Sequence, residues 1–158
     1  HVFSTMGTVV SVTLEEASPG RVDLGAVDNV FGRYDAVYSL YKPDSELSRI
    51  ADGRLVLPNA SVELREIYAT ALEWRAATKG DFTPHRPDGI IDLSGIVTAI
   101  AMERAGEELA RSGSTNWCLN VGGDVLVSGL DGEGEPWTVG VVDPTDRNTL
   151  LTTPALLD

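Results

Sequence analysis

Gly89 to Leu109, GIIDLSGIVTAIAMERAGEEL, is the stretch whose reading decides the fold. Ile90, Ile91 and Leu93 give an apolar run suited to a short buried strand, and the apolar spacing beyond it predicts a helix from Ile96 to Ala110. Asp92-Leu93-Ser94-Gly95 is the turn between them. Asp92 or Ser94 at the head of the helix would accept orphan backbone N–H bonds. Gly95, lacking a Cβ, lets a ligand come close to the main chain. Free N–H groups and the helix dipole favour anions here, so the junction has the chemistry to hold a phosphate or, through carbonyls and Asp92, a cation. The plain alternative is that Asp92 and Ser94 only cap a helix.

A length of 158 residues suits one domain, or one and a fraction, and is enough to bury roughly two thirds of the unfolded surface. A hydrophobic content of 42% and a charged content of 23% are those of an ordinary globule. The net charge of −12 is spread along the chain, which argues against a nucleic-acid surface. Cys118 is the one cysteine and excludes an internal disulfide; its apolar neighbours suit a small core residue better than a nucleophile. No run reaches the ~20 apolar residues of a membrane span, and no basic segment leads into an apolar one as in a secretory signal.

Outward from the central stretch, the N-terminal half supplies strand, helix, polar loop and helix. Val2 to Leu14 alternates apolar and small polar residues, with a bulge or sharp bend expected at Gly7. After the turn cluster Ser18-Pro19-Gly20, residues Arg21 to Ser39 form an amphipathic helix with Asp23 and Asp28 on its wet side. Pro43 breaks the chain ahead of Asp44-Ser45-Glu46-Leu47-Ser48, a dense polar loop or helical turn. Such a loop behind a tyrosine can hold a ribose or an amide edge, and Asp44 or Ser45 can equally be an N-cap. Arg54 to Leu57 reads as a short strand, and Val62 to Thr78 as a helix capped within Asn59 to Ser61 and ended by Lys79 with Gly80 at C′. His85, in the irregular stretch from Asp81 to Asp88, reads as a solvated loop residue.

The C-terminal half reads as strands. Asn116 to Val127 is a strand, a tight bend at Gly122-Gly123-Asp124 and a second strand. Asp124 can accept bonds from hydroxyls or bind a cation there, and Gly-Asp is also ordinary turn chemistry. Asp131 to Glu135 turns a second hairpin with Pro136 to Val142 returning, and Thr149 to Thr153 is a weak strand.

Five pieces occur in order: Met6-Gly7-Thr8 in a first strand, Tyr41-x-Pro43-x-SELSRI, DLSGI at 92–96, LNVGGD at 119–124 and PWTVGVVDP at 136–144. Together they resemble the ApbE family of FAD:protein FMN transferases, over nearly the whole chain from Met6 to about Pro144. The resemblance implies an α+β fold of antiparallel β-sheets packed with α-helices, with residues 1–158 as a single ApbE-like domain. It implies Mg2+-dependent cleavage of the FAD diphosphate, with transfer of the FMN phosphoryl group to a threonine or serine of a client protein and release of AMP. It also implies site residues. Met6, Gly7 and Thr8 would approach the nucleotide, and Tyr41, Ser45, Glu46 and Ser48 would line the flavin site. Glu103 would meet the adenine side, Asn120, Gly122, Gly123 and Asp124 would close the pocket, and the Gly95 carbonyl with Asp92 would face the metal.

Departures from the family pattern bear on activity. Where members read DLGGIAKGYAVD this chain reads DLSGIVTAIAMER, so Thr98 stands in place of a lysine whose point charge suits phosphate. Gly80-Asp81-Phe82-Thr83-Pro84 lacks the second acid of the family's GxFDPT. The family's HxxDP histidine and its C-terminal Ala-Asp-Ala-x-x-Thr metal ligands do not occur within these residues, so the C-terminal catalytic and metal-binding portion is expected to be missing. One carbonyl and Asp92 make a poor site for an ion that demands an octahedron of oxygens. Weak or absent catalysis is therefore expected of this chain. A non-catalytic flavin-binding protein that lost the metal centre is the second interpretation, and a structural domain without ligand the third.

Overall fold

The computed structural model describes residues 1–15, 22–146 and 148–156. Strands β1 (Val2–Thr5) and β2 (Thr8–Leu14) are joined at Met6-Gly7, with φ of 50° and 74°. The expected single strand bent at Gly7 is thus a hairpin, with Thr5 opposite Thr8. Two positive φ values in a two-residue loop follow the right-handed twist of the flanking strands, which a bulge would not.

β2 continues the sheet against β3 (Trp117–Val121), and β3 pairs with β4 (Asp124–Ser128), so the order is β1-β2-β3-β4, antiparallel throughout. Val10, Val12, Trp117, Leu119 and Val121 alternate onto one buried face. That face is covered by helices α1 (Leu24–Tyr38) and α4 (Ser94–Arg111), which lie against each other. α1 buries Val27, Phe31, Tyr34 and Tyr38, one face of a 3.6-residue period, and α4 buries Ile96, Val97, Ala101, Met102, Ala105 and Leu109. Gly106 brings α4 down onto the sheet: a Cβ there would stand 2.9 Å from the Trp117 ring.

Shorter elements position the rest. Asp23 caps α1 through the Ala26 N–H, while the expected start at Arg21 and the Ser18-Pro19-Gly20 turn lie outside the described residues. α2 (Glu46–Ala51) is capped by Ser45, as one of the two alternatives for the polar loop required. Arg54 to Leu57 is not a strand; Pro58 turns Leu57–Asn59 into a 3-10 helix. α3 (Val62–Ala77) starts after its cap Ser61. It ends with Lys79, not Gly80, in the left-handed position at C′ (φ 55°), its N–H on the Ala76 carbonyl and that of Gly80 on Arg75.

Two further strand expectations change. Ile90 to Leu93 is no regular strand. Pro84 and Pro87 restrict the segment to one bridge between His85 and Ile91, and α4 begins at Ser94, two residues before the expected Ile96. The segment returning from the 131–135 turn pairs with the C-terminal stretch: β5 (Val141–Val142) lies beside β6 (Leu150–Thr152), within the expected weak strand. The mixed helices and antiparallel sheet are the expected α+β fold. No helix among the described residues is long and apolar enough to cross a membrane.

Candidate functional site

A concavity of about 580 Å³ opens where the β1–β2 turn, the end of α1 and the start of α4 meet. That volume lies within the range of small-molecule pockets. Met6 and Gly7 form one wall. Tyr34 and Tyr38, one helical turn apart and stacked at 5.7 Å between ring centroids, form the floor with Asp35 beside them. Ser39, Leu40 and Tyr41 make the lip, with Tyr41 94% exposed. Across from them stand Arg86, Asp92, Ser94, Val97 and Thr98. The walls are aromatic and aliphatic on the α1 side and hydrogen-bonding on the α4 side, which suits a flat ring system joined to a polar tail.

Local hydrogen bonds explain this arrangement. The Asp92 N–H donates to the Pro84 carbonyl at 2.9 Å, and Asp92 Oδ1 accepts the Ser94 N–H at 3.0 Å, so Asp92 both closes the preceding hairpin and starts α4. Gly95 follows in the first turn, where a Cβ would stand 3.0 Å from the Phe82 ring. Packing against Phe82 alone accounts for a glycine there. The Thr98 hydroxyl turns back to the Ser94 carbonyl at 3.3 Å. Asp35 is held by Lys42 at 2.5 Å. Burial raises the pKa of Tyr34 and, more strongly, of Tyr38, so both phenols stay neutral well into alkaline solution. Tyr38 Oη has no hydrogen-bond partner among the described residues.

Of the residues singled out in the sequence, Met6, Gly7, Tyr41 and Asp92 line the cleft together, and Gly95 is next to Ser94 at its edge. Thr8, Asn120, Gly122, Gly123 and Asp124 form an adjoining cluster. The Gly122 N–H donates to the Val9 carbonyl, Asn120 Oδ1 accepts from Gly123, and a Cβ on Gly122 would lie 2.4 Å from Thr8 Oγ1. Ser45, Ser48 and Glu46 do not line the cleft. Both serine hydroxyls donate to the Ser39 carbonyl, at 2.5 and 3.0 Å, and Glu46 accepts the Ser61 N–H at 2.8 Å, so they hold the lip from behind. Glu103 lies on the exposed face of α4, outside the cleft lining. His85 is half-buried, its Nε2 2.9 Å from Tyr68 Oη, and is therefore no solvated loop residue. Cys118 faces away from the helices, half-buried, and burial raises its thiol pKa.

Tyr34, Tyr38, Asp35 and Arg86 were not singled out as site residues. The tyrosines sit at i and i+4 on one helix face, a spacing that reads first as core, and Arg86 enters only through the 84–92 hairpin.

The sequence pattern of the ApbE family matches residues 6–86 and 83–157. The chain belongs to the ApbE family. The FAD:protein FMN transferase of Klebsiella pneumoniae is 34% identical over 65 residues, which are 41% of this chain and 19% of that protein. The Escherichia coli K12 protein of the same name is 33% identical over 65 residues, 41% of this chain and 18% of its own length. Matches to these curated relatives thus span about a fifth of their length. Solved ApbE structures share the fold: the flavin transferase ApbE from Vibrio cholerae superimposes with a TM-score of 0.77 at 20% identity, over 91% of this chain and 63% of that one. The apo flavinyl transferase ApbE of Pseudomonas stutzeri gives 0.78 at 18% identity, over 99% and 64%.

Proposed function

We propose that this ApbE chain holds FAD in the 580 Å³ cleft and takes part in passing its FMN phosphoryl group to a threonine or serine of a client protein. The observation that carries the proposal is convergence: the Met6-Gly7 turn, Tyr41 and the Asp92–Ser94 junction, far apart in sequence, line one concavity. The names of the sequence relatives support the same chemistry. In such a transfer the hydroxyl oxygen bonds to phosphorus as the diphosphate P–O bond to AMP breaks, and the hydroxyl proton is released. Little covalent chemistry falls to the protein, so its work is to position the reactants and balance charge. The exposed Tyr41 at the lip would meet the flavin and the α4 end would face the diphosphate.

The resemblance implies Mg2+, and the residues present do not build its shell. One oxygen of Asp92 already accepts from Ser94, and among the described residues no group of three His, Cys, Asp or Glu is placed to hold a metal. The second interpretation is a flavin-binding protein without transferase activity of its own. Incubation with FAD, Mg2+ and a client domain, read by mass spectrometry, separates the two. An FMN adduct with AMP release is the transferase outcome. A yellow protein that yields neither is a binder, and failure to retain FAD at all would remove both.

A further inference from the structure

We propose that Arg86 is the diphosphate counter-ion of the cleft, a role that rests on the flavin reading above. A dinucleotide brings two phosphate charges to a chain of net charge −12, and two of the cleft's lining residues are themselves acids. Asp35 is neutralised by Lys42, but among the described residues the Asp92 carboxylate accepts only the Ser94 backbone N–H. Thr98 contributes a neutral hydroxyl already committed to the Ser94 carbonyl. Among the described residues that line the cleft, Arg86 is the one cation.

Its setting is prepared for the task. Pro84 is fully buried, the His85 ring is bonded to Tyr68 on α3, and the Asp92 N–H reaches back to the Pro84 carbonyl, so the base of the hairpin is fixed. Arg86 donates its own N–H to Ile90 and accepts from Gly89, both at 2.9 Å, and precedes Pro87, which narrows its backbone further. The guanidinium is left about half exposed, with Asp88 at 3.4 Å across a surface ion pair. Such pairs contribute little, so a phosphate can displace Asp88. The planar fork binds two phosphate oxygens at once, which a lysine cannot.

The test is calorimetric titration of the wild type, Arg86→Ala and Arg86→Lys with FAD and, separately, with riboflavin, which has no phosphate. Arg86→Ala is expected to weaken FAD binding about tenfold or more while riboflavin affinity stays within about twofold, with Arg86→Lys between. Circular dichroism and Tm matching the wild type check that the variants are folded, and Arg86→Lys, which keeps the charge, is read alone if the alanine variant is not. Equal losses for both ligands, or none for FAD, would overturn the role of Arg86 and leave the flavin site standing. A wild type that binds neither flavin would overturn the flavin site, and this role with it.

Discussion

Gly122 has the least freedom to change of the turn residues around the cleft. At φ of 62° any side chain is strained, and a Cβ would also stand 2.4 Å from Thr8 Oγ1. Gly122→Ala is expected to lower stability by about 2–3 kcal/mol, read as a fall in the denaturant midpoint without a change in slope. Met6 presents the opposite case. A long side chain at φ of 50° in a type I′ turn is held against preference, since asparagine or glycine belongs there, and the strain lies at the lip of a cleft. Met6→Asn should raise stability by about 1 kcal/mol and weaken flavin binding. If it raises both stability and affinity, Met6 has no part in the site.

At the scale of elements, α2 acts as a wedge behind the lip. Ser45 caps α2 through the Ser48 N–H at 2.9 Å and donates to the Ser39 carbonyl, so one side chain joins the start of α2 to the end of α1. Ser45→Ala should cost about 1–2 kcal/mol, more than a plain cap, because the Ser39 carbonyl loses one of its two donors. Flavin affinity should fall with it as residues 39–41 loosen, while Ser45→Thr should restore much of both. The helices and the Gly122-Gly123 hairpin were legible in the sequence because apolar period, caps and glycines all agreed there. At Met6-Gly7 the glycine showed a bulge or bend but not a hairpin turn, since methionine gives no turn signal. The cleft floor was not legible either: Tyr34 and Tyr38 satisfy the pattern of a buried helix stripe, and only the placement of α1 across the sheet shows that the stripe runs out beneath a concavity. Ser45, Ser48 and Glu46 were noticed for their polarity, but their bonds run to Ser39 and Ser61, long-range partners that no local spacing specifies.

Across the whole molecule, stability is unevenly spread and depends on pH from two directions. Burial raises the pKa of Tyr34 and Tyr38 above the unfolded value of about 10. The folded state therefore keeps phenolic protons that the unfolded chain gives up, and stability, fully present below pH ~10, falls as pH rises beyond it. Tyr38→Phe should flatten that alkaline decline and leave neutral stability equal or higher, because the hydroxyl it removes is buried without a partner among the described residues. Denaturant midpoints at neutral and alkaline pH decide this; an unchanged alkaline slope would show that Tyr38 does not govern it. The second unevenness is spatial. Val10, Val12, Leu119 and Val121 are buried between four strands and two helices, whereas Val141, Val142, Leu150 and Leu151 of the β5–β6 ribbon are 42–58% exposed. A two-stranded ribbon that buries so little apolar surface has little to oppose its opening. Backbone amides in β5 and β6 should therefore exchange with solvent deuterium through local openings, at rates that hardly change with low denaturant. Those of β2 and β3 should exchange only on global unfolding, with the full denaturant dependence. If both sets exchanged together, the ribbon would be tied to the main sheet as one cooperative unit, and the cleft would gain support from a side on which its lining residues do not lie.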